Sequence, residues 1–136
     1  MLDFGAGKGY LTFAVHHHLT RTLGRAVDVT GVDLKADLVR QGNAIAARLG
    51  LAGMRFVEGD VGHWPVPAVD LMIALHACDT ATDHALHAGV RAGAAVIVSS
   101  PCCHKQLRPQ MCCPPALKPM LAHGIHLGQQ AEMVTD

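Results

Sequence analysis

Short apolar runs alternate along the chain with longer stretches of helical periodicity. "MLDF" is extended and breaks off into "GAGKG". "KGYLTFAVHHHLTRTLG" then reads as a helix, with Leu11, Ala14, Val15, Leu19 and Leu23 close to one stripe. "AVDVTGVDL" is a strand ending at Asp33, and "KADLVRQGNAIAARLG" is a second helix that Gly50 is placed to stop. "MRFVEGD" is a short strand. "AVDLMIAL" is nearly continuous in its apolar character, as strands buried on both faces are. "DTATDHALHAGVRAG" is a third helix, with Asp79 or Thr80 as its N-cap, and "AAVIVSS" is a fifth strand. After "SPCCH" comes a Pro-rich segment, and then "ALKPMLAHGIHLGQQAEMVTD", which reads as partly helical.

Strand–helix alternation of this kind predicts an α/β fold. The sheet is expected to be Rossmann-like, mostly parallel and doubly wound, with about five strands present and the C-terminal strands missing. Residues 1–136 form a single expected domain that reads as incomplete at both ends. Only four residues precede Gly5, where a strand usually has five or six. The fifth strand is then expected to be an uncovered edge through which chains associate. His16, His17 and His18 read as the solvated side of the first helix.

Composition narrows the class. With 136 residues, of which 50% are hydrophobic, the chain suits one domain with a sizeable core. Lys and Arg number 11, as do Asp and Glu, so the formal charge is zero. No strongly basic face is implied, although RNA is not thereby excluded as an acceptor. Ten histidines make the charge sensitive to pH near neutrality. The N-terminus lacks the basic-then-apolar order of a signal peptide, and no apolar run is long enough to span a membrane. The five cysteines are odd in number and partly adjacent, which suits reduced thiols in a cytoplasmic protein.

The candidate chemistry sits where strands end. Gly5, Gly7 and Gly9 occupy the first strand-to-helix turn, where glycine permits a sharp bend and close approach of a ligand to main-chain N–H groups. Their spacing is G-x-G-x-G, which departs from the G-x-G-x-x-G of dinucleotide sites. Lys8 lies inside the loop, but the phosphate-cradling G-x-x-x-x-G-K-[ST] pattern is absent. Asp33 ends the second strand, from which a carboxylate reaches a ribose hydroxyl pair, with a helix N-cap as its plainer reading. Asp60 follows the third strand and is placed to accept from an adenine amino group, with a turn residue as its plainer reading. Asp3 precedes the loop and is placed to hold its backbone or to face an ammonium group.

"DFGAGKGYL", "GVDL" and "EGD" resemble the first three motifs of class I S-adenosylmethionine-dependent methyltransferases. "LHACDTATDHAL" and "VSSPCCHKQL" are similar to one branch, the methyltransferase-domain group that includes the glutathione S-transferase C-terminal-domain-containing proteins. The resemblance implies S-adenosyl-L-methionine as cofactor. It implies that Asp3, Gly5, Ala6, Gly7 and Gly9 hold the methionine part, Asp33 with Leu34 the ribose, and Asp60 with Val61 the adenine. Leu75, His76 and Ala77 would border the methyl group. The acceptor stays open between RNA, protein and a small molecule.

The later motifs supply the candidate catalytic residues His76, Cys78 and Cys102. His76 is placed to orient a nucleophile or remove a proton. Pro101, Cys102, Cys103 and His104 are the candidate substrate-binding residues. Three readings of the cysteines compete. Zinc binding has enough ligands, but adjacent cysteines suit it poorly, and no metal is expected. Nucleophilic catalysis would add a thiolate to a pyrimidine ring while a second thiol assists release. The third reading is a tightly packed pocket wall. The overall expectation is methyl transfer, with a non-catalytic binding domain or a nicotinamide-dependent oxidoreductase as alternatives.

Overall fold

The computed structural model describes residues 1–75, 77, 80–100, 108–112 and 114–135, without the side chains of Leu121, Glu132, Val134 and Thr135. Five strands are present: β1 (Leu2–Phe4), β2 (Val29–Asp33), β3 (Met54–Glu58), β4 (Leu71–Ala74) and β5 (Val96–Ser99). They form one sheet in the order β3-β2-β1-β4-β5. Every pairing is parallel, with Asp3 opposite Gly31 and Ile73, Asp33 opposite Glu58, and Ala74 opposite Ser99. The helices that connect them are α1 (Tyr10–His17), α2 (Ala36–Arg48) and α3 (Thr80–Arg91). Two further helices follow, the short α4 (Lys118–Leu121) and α5 (Gly124–Thr135). The doubly wound parallel sheet expected from the sequence is therefore present.

Alternation along each strand sends side chains to two cores. Leu2, Phe4, Val32, Met72 and Ala74 pack with Ala85 of α3 on one face. Met54 and Phe56 pack with Phe13 of α1 and Ala46 of α2 on the other. Helices thus cover both faces, and the chain reverses its winding between β1 and β4. In open parallel sheets a ligand crevice opens at that switch point, beyond the carboxyl ends of the strands.

Phe56 sets the spacing on the α1–α2 face. A Cβ placed on Gly31, Gly42 or Gly9 would lie 2.6, 2.6 and 2.7 Å from its ring. The ring thus occupies a socket made by one glycine from β2, one from α2 and one from the β1–α1 loop. Asn43 of α2 closes the same junction. Its side-chain amide donates to the Phe56 carbonyl at 2.7 Å, and its carbonyl accepts from the Phe56 N–H at 2.8 Å.

Two expectations are corrected here. The apolar stripe is only partly inward: Leu11, Val15 and Leu19 are half-buried, but Ala14 is exposed and Leu23, beyond α1, is 53% exposed, whereas Thr12 and His16 are buried. His16 is only 3% exposed, so it does not belong to a solvated histidine run. Its Nε2 lies 3.0 Å from the Ala52 carbonyl in the loop before β3. One ring nitrogen thus finds a backbone partner, while Nδ1 is buried with none among the described residues. His17 and His18 are exposed, as expected. The helix also loosens after His17, because His18–Thr22 is wound as a π-turn before Gly24.

At the other edge, β5 pairs only with β4 among the described residues. Val96 and Val98 remain 53% and 41% exposed on the face opposite α3. The expected helical tail is present as α4 and α5, and Ala131 of α5 is buried.

Candidate cofactor site

The β1–α1 loop turns on glycines. Gly5, Gly7 and Gly9 all adopt positive φ, at 70°, 57° and 76°, a region that disfavours residues with a Cβ. The Gly5 and Ala6 N–H groups both donate to the Val32 carbonyl, at 2.9 and 3.1 Å, which ties the loop to the end of β2. Helix α1 then starts from Gly9 without a capping side chain, so the positive end of its dipole lies at the loop.

Asp33 extends this anchoring. Its Oδ2 accepts from the Gly7 N–H at 2.8 Å, and its Oδ1 accepts from the Lys35 N–H at 2.9 Å. One carboxylate therefore shapes both the glycine loop and the start of α2. Each oxygen carries a further lone pair, which leaves acceptor capacity for hydroxyl donors. Asp60 is built into a turn as well. Its Oδ1 accepts from the Gly62 N–H at 3.0 Å, and its Oδ2 lies 3.1 Å from His63 Nδ1. The Gly62 N–H and then His63 hold its carboxyl below the ordinary value, so it is ionised at neutral pH. The turn reading of Asp60 is thus present in the geometry alongside its place in the cleft wall. Asp3 is 4% exposed, and its Oδ2 accepts from the Thr12 hydroxyl at 2.6 Å.

Two spaces flank Gly5 and Gly7. The larger, a cleft of about 440 Å³, is bounded by Gly5, Gly7, Asp33, Leu34, Asp60, Val61 and Ala77. Phe4, Val32, Lys35, Leu38, Gly59 and Ala81 complete its lining. The smaller, a hollow of about 330 Å³, is lined by Asp3, Gly5, Ala6, Gly7 and Leu75, with Lys8, Tyr10 and Leu11. Eleven of the twelve residues expected to bind the cofactor are described, and ten of these line one space or both. Gly9 lines neither; Phe56 and Phe13 crowd the space that its side chain would need. His76 lies outside the described residues, as do Cys78, Pro101, Cys102, Cys103 and His104. Asp79 and Cys113 lie outside them too, while Thr80 is the first residue of α3 and Cys112 is an exposed free thiol.

Sequence reasoning missed the apolar half of the cleft. Leu38 had a readable signal, because it stands four residues after Leu34 on the first turn of α2. Phe4 and Val32 had none, since core strand residues look alike wherever they end.

The lining suits a nucleoside without phosphates. Phe4, Val32, Leu38, Val61, Ala77 and Ala81 offer apolar walls for a base, and the flanking carboxylates accept from hydroxyl or amino groups. Fold and site together define a nucleoside-cofactor domain of the class I methyltransferase type. Residues 1–110 match a family model described as a methyltransferase domain, and the chain belongs to that family. S-adenosylmethionine is the cofactor of this class.

The chain is similar to trans-aconitate 2-methyltransferase of Rhodopseudomonas palustris (strain BisB5), at 35% identity over 105 residues, 73% of this chain and 37% of that protein. It is similar in fold to the N-terminal domain of EvdMO1, solved with S-adenosylhomocysteine bound, with a TM-score of 0.54 at 15% identity. That match covers 73% of this chain and 39% of the other. A methyltransferase from Aquifex aeolicus has a TM-score of 0.51 at 19% identity, over 67% of this chain and 48% of that one. The chain therefore spans about a third to a half of the length of these relatives. The closer branch resemblance rests on motifs whose central residues lie outside the described ones.

Proposed function

We propose that this chain is the cofactor-binding part of an S-adenosylmethionine-dependent methyltransferase that acts on a small-molecule acceptor. One observation carries the cofactor reading: Asp33 joins the glycine loop to the rim of a cleft that has carboxylates and apolar walls. Asp33 accepts from the ribose hydroxyls, and Asp60 with Val61 receives the adenine. Asp3 faces the methionine ammonium. Leu75 and Ala77 follow β4 and border the reacting end. When bound, the cofactor supplies a sulfonium methyl open to displacement by a nucleophile.

The protein's contribution to such a displacement is mainly positioning. Asp33 does this twice, by holding Gly7 and by receiving the ribose. The acceptor side falls to His76 and Cys78 after β4 and to Pro101–His104 after β5. Both strands end at the same sheet edge. A small acceptor is favoured over RNA because the chain carries no net positive charge with which to hold phosphates. The trans-aconitate methyltransferase to which the chain is similar acts on a small acid by its name. The free thiol of Cys112 suits a reducing, cytoplasmic setting.

Calorimetric titration tests this reading. S-adenosylhomocysteine is expected to bind with one site per chain, and NADH is expected to give no heat. Asp33→Ala is expected to weaken binding about tenfold or more, because hydrogen bonds to a charged group are lost. Binding of NADH in its place, or an Asp33→Ala variant as tight as the parent, would contradict the proposal.

A further inference from the structure

A second pocket, of about 360 Å³, lies between the turn that follows β3 and the C-terminal half of α3. Its α3 side carries His84, His87 and Arg91. These stand three and four residues apart, so the helix presents all three on one face. The opposite side is built from Val61, Gly62, Trp64 and Val66. Trp64 sits over Gly59, where a Cβ would lie 2.4 Å from its ring, and it packs against the core that α3 covers. Val61 also lines the cofactor cleft, so the two spaces share that wall.

The charge in this pocket is one-sided, because no acidic residue lines it. Asp60 is close enough to interact electrostatically with His84, but its two oxygens are engaged by the Gly62 N–H and by His63. Asp83 lies on α3 outside the lining. The Arg91 guanidinium is always charged and offers a planar fork of N–H donors. Each imidazole adds a further donor. A carboxylate has two oxygens, which one guanidinium can satisfy alone. A tetrahedral oxyanion has oxygens to spare for the imidazoles as well. The zero net charge of the chain speaks against an extended nucleic-acid backbone as the ligand, whereas one phosphate group needs only this local cluster.

We infer that this pocket binds the phosphate group of a small phosphorylated molecule, at a site separate from the cofactor cleft. Arg91 takes two of the oxygens, His84 and His87 donate to the others, and Trp64 with Val66 forms the wall beside them. The inference does not depend on what the cofactor cleft holds.

Trp64 is the one tryptophan of the chain, so its fluorescence reads this pocket. Inorganic pyrophosphate is titrated into the whole chain at fixed ionic strength, with calorimetry as a second readout. Saturable binding is expected. Arg91→Gln is expected to weaken it about tenfold, and His84→Gln combined with His87→Gln by a similar factor. Arg40→Gln, on α2, removes the same charge elsewhere and is expected to leave the affinity within about twofold. All four side chains are exposed, and matching melting temperatures check folding. Citrate, a polycarboxylate of comparable charge, is expected to bind at least about tenfold more weakly than pyrophosphate. No saturable binding by either readout, equal losses in Arg91→Gln and Arg40→Gln, or citrate as tight as pyrophosphate overturns the assignment.

Discussion

Asp33, Asp3 and Asp60 are three carboxylates in one neighbourhood, and each is held differently. Asp33 accepts two backbone N–H groups, Asp3 accepts a buried hydroxyl, and Asp60 closes a turn. Fixed carboxylates lose little freedom when a ligand arrives, which is what pre-organisation means at this scale. For Asp60 the consequence can be read against pH. Its folded carboxyl sits below the ordinary value, so its stabilising contribution is fully present above the ordinary carboxylate range. The contribution is lost as pH falls through the lowered value. Asp60→Asn is therefore expected to melt at a lower temperature than the parent at pH 7, with the gap closing below about pH 4. Thermal melts across pH check this, and a gap that persists into acid would show that the carboxylate charge is not what holds the turn.

At the scale of elements, the junction of β2, α2 and β3 depends on absent side chains. Gly31 has ordinary φ, so steric room alone excludes a side chain there. Gly31→Ala would push a methyl into Phe56 and is expected to destabilise the domain by about 1–3 kcal/mol. Adding Phe56→Leu should recover part of that loss, because the pair shares one space. Denaturant melts of the two single variants and the double variant measure the coupling. Strictly additive losses would show that the ring and Gly31 do not compete.

The elements themselves were legible from pattern: all five strands and the three connecting helices fall where the apolar runs and helical periods place them. The glycine loop and the strand-end acids of the candidate site were legible as features too, because they announce themselves by residue type and spacing. His16 and Thr12 were not legible. Polar residues on a helix read as solvated unless their partners are known, and Ala52 lies 36 residues away from His16. Gly9 was read from the glycine spacing alone. The sequence shows that a glycine is needed, and only the packing shows that Phe56 is why.

For the molecule as a whole, the described sheet ends in β3 on one side and in β5 on the other. The candidate cofactor residues gather at the switch point between β1 and β4, where the two windings part. The edge strand β5 keeps valines exposed, and the chain covers 37%, 39% and 48% of the relatives it matches. The proposed acceptor residues follow β4 and β5 in sequence, and the cofactor half of the proposal is the one that the described residues bear on. Among the described residues no helix is long and apolar enough to cross a membrane.

The central claim is that one nucleoside cofactor lies across Gly5 and Gly7 between Asp33 and Asp3. Amide shift mapping by NMR during a titration with S-adenosylhomocysteine tests it most directly. The account predicts saturable shifts clustered at Asp3–Gly9, Asp33–Lys35, Leu38, Gly59–Val61 and Leu75–Ala81. An absence of shifts, or shifts clustered away from the glycine loop, would contradict it.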